Sequence, residues 1–474
     1  MLSQKRAALG GFFAENAARV KRRRNIAMVK DLTAGSPART VLAFTLPIIG
    51  GNLFQLFYTL ADTVIVGRTM GAEALAAVGS TGTFIYFILC FVQGLTGGFG
   101  ICIGQRFGAH SEVGVRRAVA ASVLLSLAFT VVLTLFGCLA ARPIIRWMDT
   151  PPEIYGMAYD YMFAVMLGTG ATVAYNLVSN VLRALGDSRT PLYFLIFSSF
   201  LNIVLDIIFI VPLGMGVAGA AWATVLSQLV SAALCTLYGA LNFRELRVLG
   251  NDWHRSPLLF KNQLRLAFPM GFQMSVMCVG LLAMQTAVNG LGAEVVAGFT
   301  AATKVDQLSV LVNGAFGVAV AGYVAQNYGA GLGGRIKAGV RASLVQLEIA
   351  NVVMGAVMLL GRAYVVPLFI DGATAAVGAA AYGYLFVVVP FYPLLGLLCI
   401  YRSALQSMDD ARTPFAACVA ELVMRVTAAF VLARFFGYAG ICFATPLAWM
   451  GALAFLAPVY LRRARKLADG RVFL

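Results

Sequence analysis

Twelve stretches of roughly twenty mostly apolar residues follow one another along this chain, separated by eleven short breaks, and about 20 such residues are what a helix needs to cross a bilayer core. The stretches centre near Phe54, Leu89, Val131, Met166, Phe200, Gln228, Met277, Val312, Val352, Val388, Ala420 and Ala448. Between them stand GRTMGAE, RFGAHSE, MDTPPE, LGDSRTP, PLGMG, GNDWHRSP, NGLGAE, NYGAGLGG, FIDGAT, SMDDARTP and FGYAG, breaks rich in Gly, Pro, Asp and Asn. Each is short, so no sizeable soluble domain fits between spans. The fold this predicts is all-α: a polytopic membrane protein with the lipid bilayer as its solvent. Charged residues make up only 12% of the chain, against about a quarter in ordinary soluble domains.

The formal net charge of +16 raises the question of nucleic acid. The basic residues are scattered through short loops and tails, however, with no basic helix carrying interleaved aromatics, so nucleic acid is not an expected partner. Their distribution orients the spans instead. With the N-terminus inside, 28 of the 36 Lys and Arg fall in the tails and the even-numbered loops. Only Arg68, Arg142, Arg146, Arg362 and Arg434 fall outside, while Lys304, Arg402 and Arg425 lie within spans. Positive loops stay cytoplasmic, which puts both termini in the cytoplasm; the expected location is a plasma (bacterial inner) membrane. The basic tail before Met28 lacks the apolar core and small-residue cleavage site of a signal peptide; Met28 is a candidate start, with the upstream piece an extension.

Catalytic signals are missing. The eight cysteines show no C-x-x-C spacing, which indicates neither a zinc site nor a disulfide framework. His110 and His254 both fall in polar loops, and no G-x-x-x-x-G-K-[ST] motif occurs. The expected cofactor set is empty, and the chain reads as no enzyme.

The chain also repeats itself. TLPIIGG at 45–51 answers AFPMGFQ at 267–273, with Pro47 against Pro269; GAEALAA at 71–77 answers GAEVVAG at 292–298. GQRFGA at 104–109 answers AQNYGA at 325–330, and DSRTP at 187–191 answers DARTP at 410–414. The offsets stay between 221 and 223. Twelve transmembrane helices in two six-helix lobes follow, with the lobes in the same orientation because six is even. The expected divisions are a basic cytoplasmic tail (1–36), a first lobe (37–242), a cytoplasmic linker (243–264), a second lobe (265–462) and a C-terminal tail (463–474). Two lobes around a central cavity suit alternating access.

Duplication provides a control, because structural residues tend to recur in both halves and specialised ones need not. At the repeat offsets Asp206 faces Ala429, Asn202 faces Arg425, and Asp62 faces Met284 or Ala283. A carboxylate at the centre of a membrane helix costs about 3 kcal/mol or more, so acids present in one half only are candidates for function. At 1.5 Å per residue, Asp62, Tyr161, Asp206 and Thr224 share one layer roughly 7–13 Å below the outer helix ends. Asn202 is one turn from Asp206 on the same face, and Asn176 and Asn180 lie deeper on span 4. Plainer readings stand beside these. Asp206 is then a structural hydrogen-bond partner, Asp62 a partly hydrated aspartate near a helix end, and Thr224 and Tyr161 interhelical glue. Glu421 and Arg425, spaced i, i+4, read mainly as a mutually neutralising pair, with a place on the cavity wall. Lys304 and Asp306 cannot face one another on a helix, so each needs another partner.

From about Lys30 to Arg465 the sequence resembles the multidrug and toxic compound extrusion (MATE) family. The residues that carry the likeness are FTLP, LADTVIVGRTMGAEALAAVG, LRALGDSRTP, LNIVLDIIFIVPLGMGVAGAAWATV and AQNYGAG. The resemblance implies a secondary antiporter that exports drugs, cationic amphiphiles among them, in exchange for protons or sodium ions, acting as a monomer. It matches Asp62, Asn202, Asp206 and Thr224 to the family's first-lobe ion or proton site, with sodium held at Asp62, Asp206 and Asn202. It matches Asn180 to that site and Tyr161 to the cavity less closely, and makes Pro47 a bend in span 1. One departure stands out. Spans 7 and 10 carry no acid, whereas some branches have an essential one on each, so coupling is expected in the first lobe. The rivals are a lipid-linked saccharide flippase of the same superfamily and, from another class, a channel.

Overall fold

The computed structural model describes residues 31–253, 256–361 and 374–468. The tail with Met28, His254, Arg362, most of the FIDGAT break and the last six residues lie outside them. Helix fills nearly all the rest, and no strand occurs among the described residues. In chain order the helices are α1 (Pro37–Met70), α2 (Ala72–Gly108), α3 (Glu112–Trp147), α4, α5 (Arg189–Ile210) and α6 (Gly216–Asn242). They continue with α7 (Pro257–Asn289), α8 (Ala293–Gly329), α9 (Gly333–Leu360), α10, α11 and α12. Span α4 is broken into Pro152–Leu167 and Thr169–Ala184, bent by 44°. Span α10 is broken into Ala375–Val388 and Tyr392–Ser407 by a 3-10 turn at Val389–Phe391. The last long helix, Arg412–Ala468, is divided at Gly437, whose φ is +56°, into α11 (412–436) and α12 (438–468). Among the described residues the count is twelve, six to each lobe.

These helices form because their solvent is lipid. On α3 the residues Leu127, Val131, Leu135 and Leu139 follow i, i+4 spacing and are all at least half exposed. A soluble domain does not expose a face of that kind, whereas a bilayer requires it. Each lobe has its own core: Leu95, Phe99, Ile103, Leu182 and Leu185 in the first, Phe316, Tyr323, Leu385 and Tyr392 in the second.

The recurring motifs account for how the lobes join. GQRFGA ends α2 and AQNYGA ends α8, and the two pack against each other across the interface. A Cβ on Gly108 would lie 1.9 Å from the Gln326 carbonyl oxygen, and one on Gly329 would lie 1.8 Å from that of Gln105. Only glycine permits this crossing. Gln105 then donates to the Ser407 carbonyl at 3.0 Å, and Gln326 to the Ala184 carbonyl at 2.8 Å. The acceptors are themselves repeat equivalents, 223 residues apart. DSRTP and DARTP likewise share one task. Asp187 accepts from the backbone N–H and hydroxyl of Thr190, and Asp410 from those of Thr413, so each aspartate caps the helix that follows.

Helix α7 begins at Pro257, inside the stretch read from the sequence as linker. Ser256 accepts from the Leu259 N–H and proline occupies the first turn, both start signals. The connection before it makes two 3-10 turns, tied back to α3 by Arg116, whose Nε donates to Asp252 at 2.9 Å. At the other end α12 continues through the basic run RRARK to Ala468.

Contacts between the lobes run from the end at which α1 starts and α12 finishes to about mid-span. They include Gln263 to Ala118, Asn52 to Leu311, Ser275 to Phe87, and Cys278 to Cys90. At that level Tyr86, a neighbour of Cys90 and Cys278 on this interface, is 56% exposed. The lobes are joined where the glycine crossings and the Gln105 and Gln326 hydrogen bonds lie.

Candidate functional site

The half of the first lobe away from the Gln105 and Gln326 joint holds the acids. Asp62 sits two turns below the end of α1, Asp206 one turn below the end of α5, and Thr224 two turns into α6. All lie roughly 6–12 Å below the helix ends. The bend of α4 brings this layer together. At Gly168 a Cβ would lie 2.0 Å from Val225 Cγ2, so the break seats α4 against α6 beside Thr224.

Asp206 is fully buried and Asn202 nearly so. The carboxyl groups of Asp62 and Asp206 lie beside one another, close enough to interact directly. Asn202 donates to the Thr224 hydroxyl at 3.2 Å, which leaves its own carbonyl oxygen free. Asp62 Oδ1, Asn202 Oδ1 and both carboxylate oxygens of Asp206 are buried without a donor. Among the described residues no Lys or Arg pairs with either acid. Two bare carboxylates at about 4 Å repel by about 4 kcal/mol even at an effective dielectric of about 20. Such a pair is stable when a proton or a cation lies between the two groups. Orphaned oxygens converging in one small space are the ligand set of a hard cation and equally an acceptor for a proton.

Tyr161 and Tyr58 stand beside the two acids. Tyr58 reaches Gln228, whose Oε1 accepts from the Thr172 hydroxyl at 2.6 Å. Tyr58 and Gln228 are absent from the residues singled out by sequence. Both lie one turn from residues that were, Asp62 and Thr224, so the i, i+4 spacing that picked out Asn202 marks them as well.

The structure does not bring Asn176 or Asn180 to the carboxylates. Asn176 donates to the Thr172 carbonyl of its own helix. Asn180 lies near the opposite end of α4, donating to the Thr96 hydroxyl at 3.1 Å and accepting from Arg183. Pro47 lies within α1, which continues through it.

In the second lobe Glu421 and Arg425 are more than the pair expected. Glu421 accepts from Arg425 at 2.8 Å and from Arg402 at 2.7 Å, which makes a buried triad of two cations and one anion. The distance of 19 residues between Arg402 and Glu421 hid the second contact. Asp306 finds its partners on α10, the hydroxyls of Tyr392 at 2.8 Å and Tyr384 at 3.3 Å. Lys304 is exposed.

Comparison with known proteins agrees with this architecture. The MatE family model matches twice, at residues 47–208 and 269–431, and the two matches stand 222–223 residues apart, as the repeat does. The chain is 31% identical over 375 residues to the "Probable multidrug resistance protein YpnP" of Bacillus subtilis (strain 168), covering 77% of this chain and 82% of that one. It is 24% identical over 310 residues to a protein of Shewanella oneidensis named "FAD transporter", covering 65% and 68%. A solved structure described as MATE in complex with MaL6 superposes with a TM-score of 0.86 at 24% identity, over 92% of this chain and 98% of that one.

Proposed function

Because the chain belongs to the MatE family, we propose that it is a secondary antiporter that exports small drug-like organic cations across the plasma membrane in exchange for protons or sodium ions. Asp62 and Asp206, helped by Asn202 and Thr224, hold the coupling ion, while Tyr58 and Tyr161 offer aromatic faces to a cationic substrate. The observation that carries this reading is the facing carboxyl pair, buried, without a basic partner, and absent from the other half of the repeat. The charge bias is what places the termini, and with them the joint made by Gln105 and Gln326, on the cytoplasmic side. In the outward-facing state of the cycle, a proton or sodium ion from the external medium displaces the bound cation. Closing the outer half and parting the Gln105–Gln326 contacts then turns the site inward, with Pro47 as the flexure in α1. One protomer contains both lobes and needs no second copy.

The test is efflux of a fluorescent organic cation from vesicles with proton and sodium gradients imposed separately. Asp206→Asn and Asp62→Asn should each abolish accumulation against the gradient while the protein is still made and inserted. Full accumulation by either variant contradicts the assignment.

The two-to-one excess of arginine over glutamate in the second-lobe triad favours a second reading, in which the cargo is an anionic or lipid-linked molecule. The flippase rival belongs to this class. Competition of an anionic nucleotide or lipid pyrophosphate with the organic cation distinguishes the readings.

A further inference from the structure

Glu348 lies near the middle of α9. At 1.5 Å per residue it is about 20 Å from either end of that helix, the depth at which an ionisable side chain is most costly. Both of its carboxylate oxygens are buried and neither receives a hydrogen bond. Its nearest polar neighbour, Asn351, has committed its amide, donating to Asn313 Oδ1 at 3.3 Å and to the Tyr392 carbonyl at 3.2 Å. On α10 the ionisable groups on its side are Cys399 and, beyond it, Arg402, whose guanidinium is held by Glu421. On α8, Asp306 is taken up by Tyr384 and Tyr392, and Lys304 is exposed. The middle turns of α1 and α12 carry no charged residue, and their titratable groups are Tyr58, beside the first-lobe acids, Cys442 and Tyr460.

The fold makes room for this carboxyl group. A Cβ on Gly396 would lie 2.5 Å from Glu348 Oε1, so the missing side chain forms a notch in α10 that the carboxyl group fills. The notch lies one turn past the break at Val389–Phe391. The repeat supplies the contrast. Setting the break of α4 at Gly168 against Pro390 gives an offset of 222, which places Ser126 opposite Glu348 and Ala174 opposite Gly396. The first lobe has neither the acid nor the notch. They occur together, in the second lobe.

We propose that Glu348 is a second proton-carrying carboxyl group, which takes up a proton from water and returns it to water during the transport cycle. Its charge state sets how α9 seats against the broken span α10. Protonated, the group fits the notch beside Gly396, which it shares with the Asn351 amide. Ionised, it has beside it only the Asn351 amide, already shared with Asn313 and Tyr392, so it favours an arrangement that opens the notch to water or brings Arg402 within reach. The proton count per cycle then includes one from the lobe that lacks acids on α7 and α10. The inference rests on the antiport reading, but its first readout does not.

The experiment uses the full chain in proteoliposomes and the probe dicyclohexylcarbodiimide, which adds to protonated carboxyl groups in apolar surroundings, with the adduct located by peptide mass spectrometry. Labelling at Glu348 should fall several-fold as the medium is made alkaline. Glu348→Gln should lower the stimulation of efflux by an imposed pH gradient several-fold while leaving substrate binding intact. Gly396→Ala, which fills the notch, should change the labelling without removing the acid. Asp206→Asn is the control. It removes the first-lobe site and leaves Glu348 labelling as in the parent, so failure of the antiport reading appears in efflux and failure of this one in labelling. Labelling at Glu348 that is absent or independent of pH overturns the proposal. So does a Glu348→Gln protein with the parent's full proton sensitivity. If Glu348→Gln does not insert, labelling of the parent chain decides alone.

Discussion

Glu421 shows how differently one carboxylate and another are treated in the same membrane. It holds Arg402 and Arg425 together, with all three side chains buried, whereas Asp62 and Asp206 face each other without a cation. Removing the anion strands two buried guanidinium groups, and a stranded buried charge costs about 3–5 kcal/mol. Glu421→Gln should therefore lower thermal stability in detergent more than replacing all three residues together by Gln, Met and Met. A triple variant less stable than the single one would mean that the charges themselves are needed, as a subsite would require. Asp206, Asp62 and Asn202 were legible because the repeat let each position be compared with its counterpart. Arg402 was not, because its bond to Glu421 crosses from α10 to α11, and helical periodicity speaks only within one helix. Glu348 went unremarked for a related reason. Its meaning depends on the absence of a side chain at Gly396, 48 residues away.

At the level of the helix, the motifs resolve into joints. The Gln105 and Gln326 hydrogen bonds and the Gly108 and Gly329 crossings close one end of the lobe interface. A net contribution of about 1 kcal/mol per hydrogen bond makes the closed end easy to bias. Gln105→Ala with Gln326→Ala should shift the population toward opening at that end. The measurement is labelling of Ala325→Cys, in a cysteine-free background, by a membrane-impermeant thiol reagent added from the cytoplasmic side. Labelling no faster than with the glutamines present would show that glycine packing alone holds the joint. Span number, order and the repeat were readable from apolar lengths and turn chemistry. The breaks in α4 and α10 were not, because each broken span keeps its apolar length while the bend is imposed by packing, as at Gly168 against Val225. The start of α7 was missed because charged residues near Lys261 masked the Ser256–Pro257 start signal.

Across the whole molecule, two claims connect the parts. The first is orientation. If the excess of Lys and Arg in the tails and even-numbered loops has its ordinary meaning, reporter tags at either terminus, or in the connection between Phe243 and Ser256, will be cytoplasmic. A tag reached from outside intact cells would invert the transport direction drawn here. The second is that ion and substrate compete through the Asp62–Asp206 pair. Such coupling is reciprocal, so an ion that weakens substrate binding is itself weakened by substrate to the same degree. The most direct measurement is titration of a lipophilic cation against the protein in nanodiscs, across pH and sodium concentration. Binding should weaken as pH falls, or as sodium rises if sodium is the coupling ion, and Asp206→Asn should remove that dependence. An Asp206→Asn protein that binds the cation with the parent's full pH and sodium dependence would contradict the assignment of coupling to this pair.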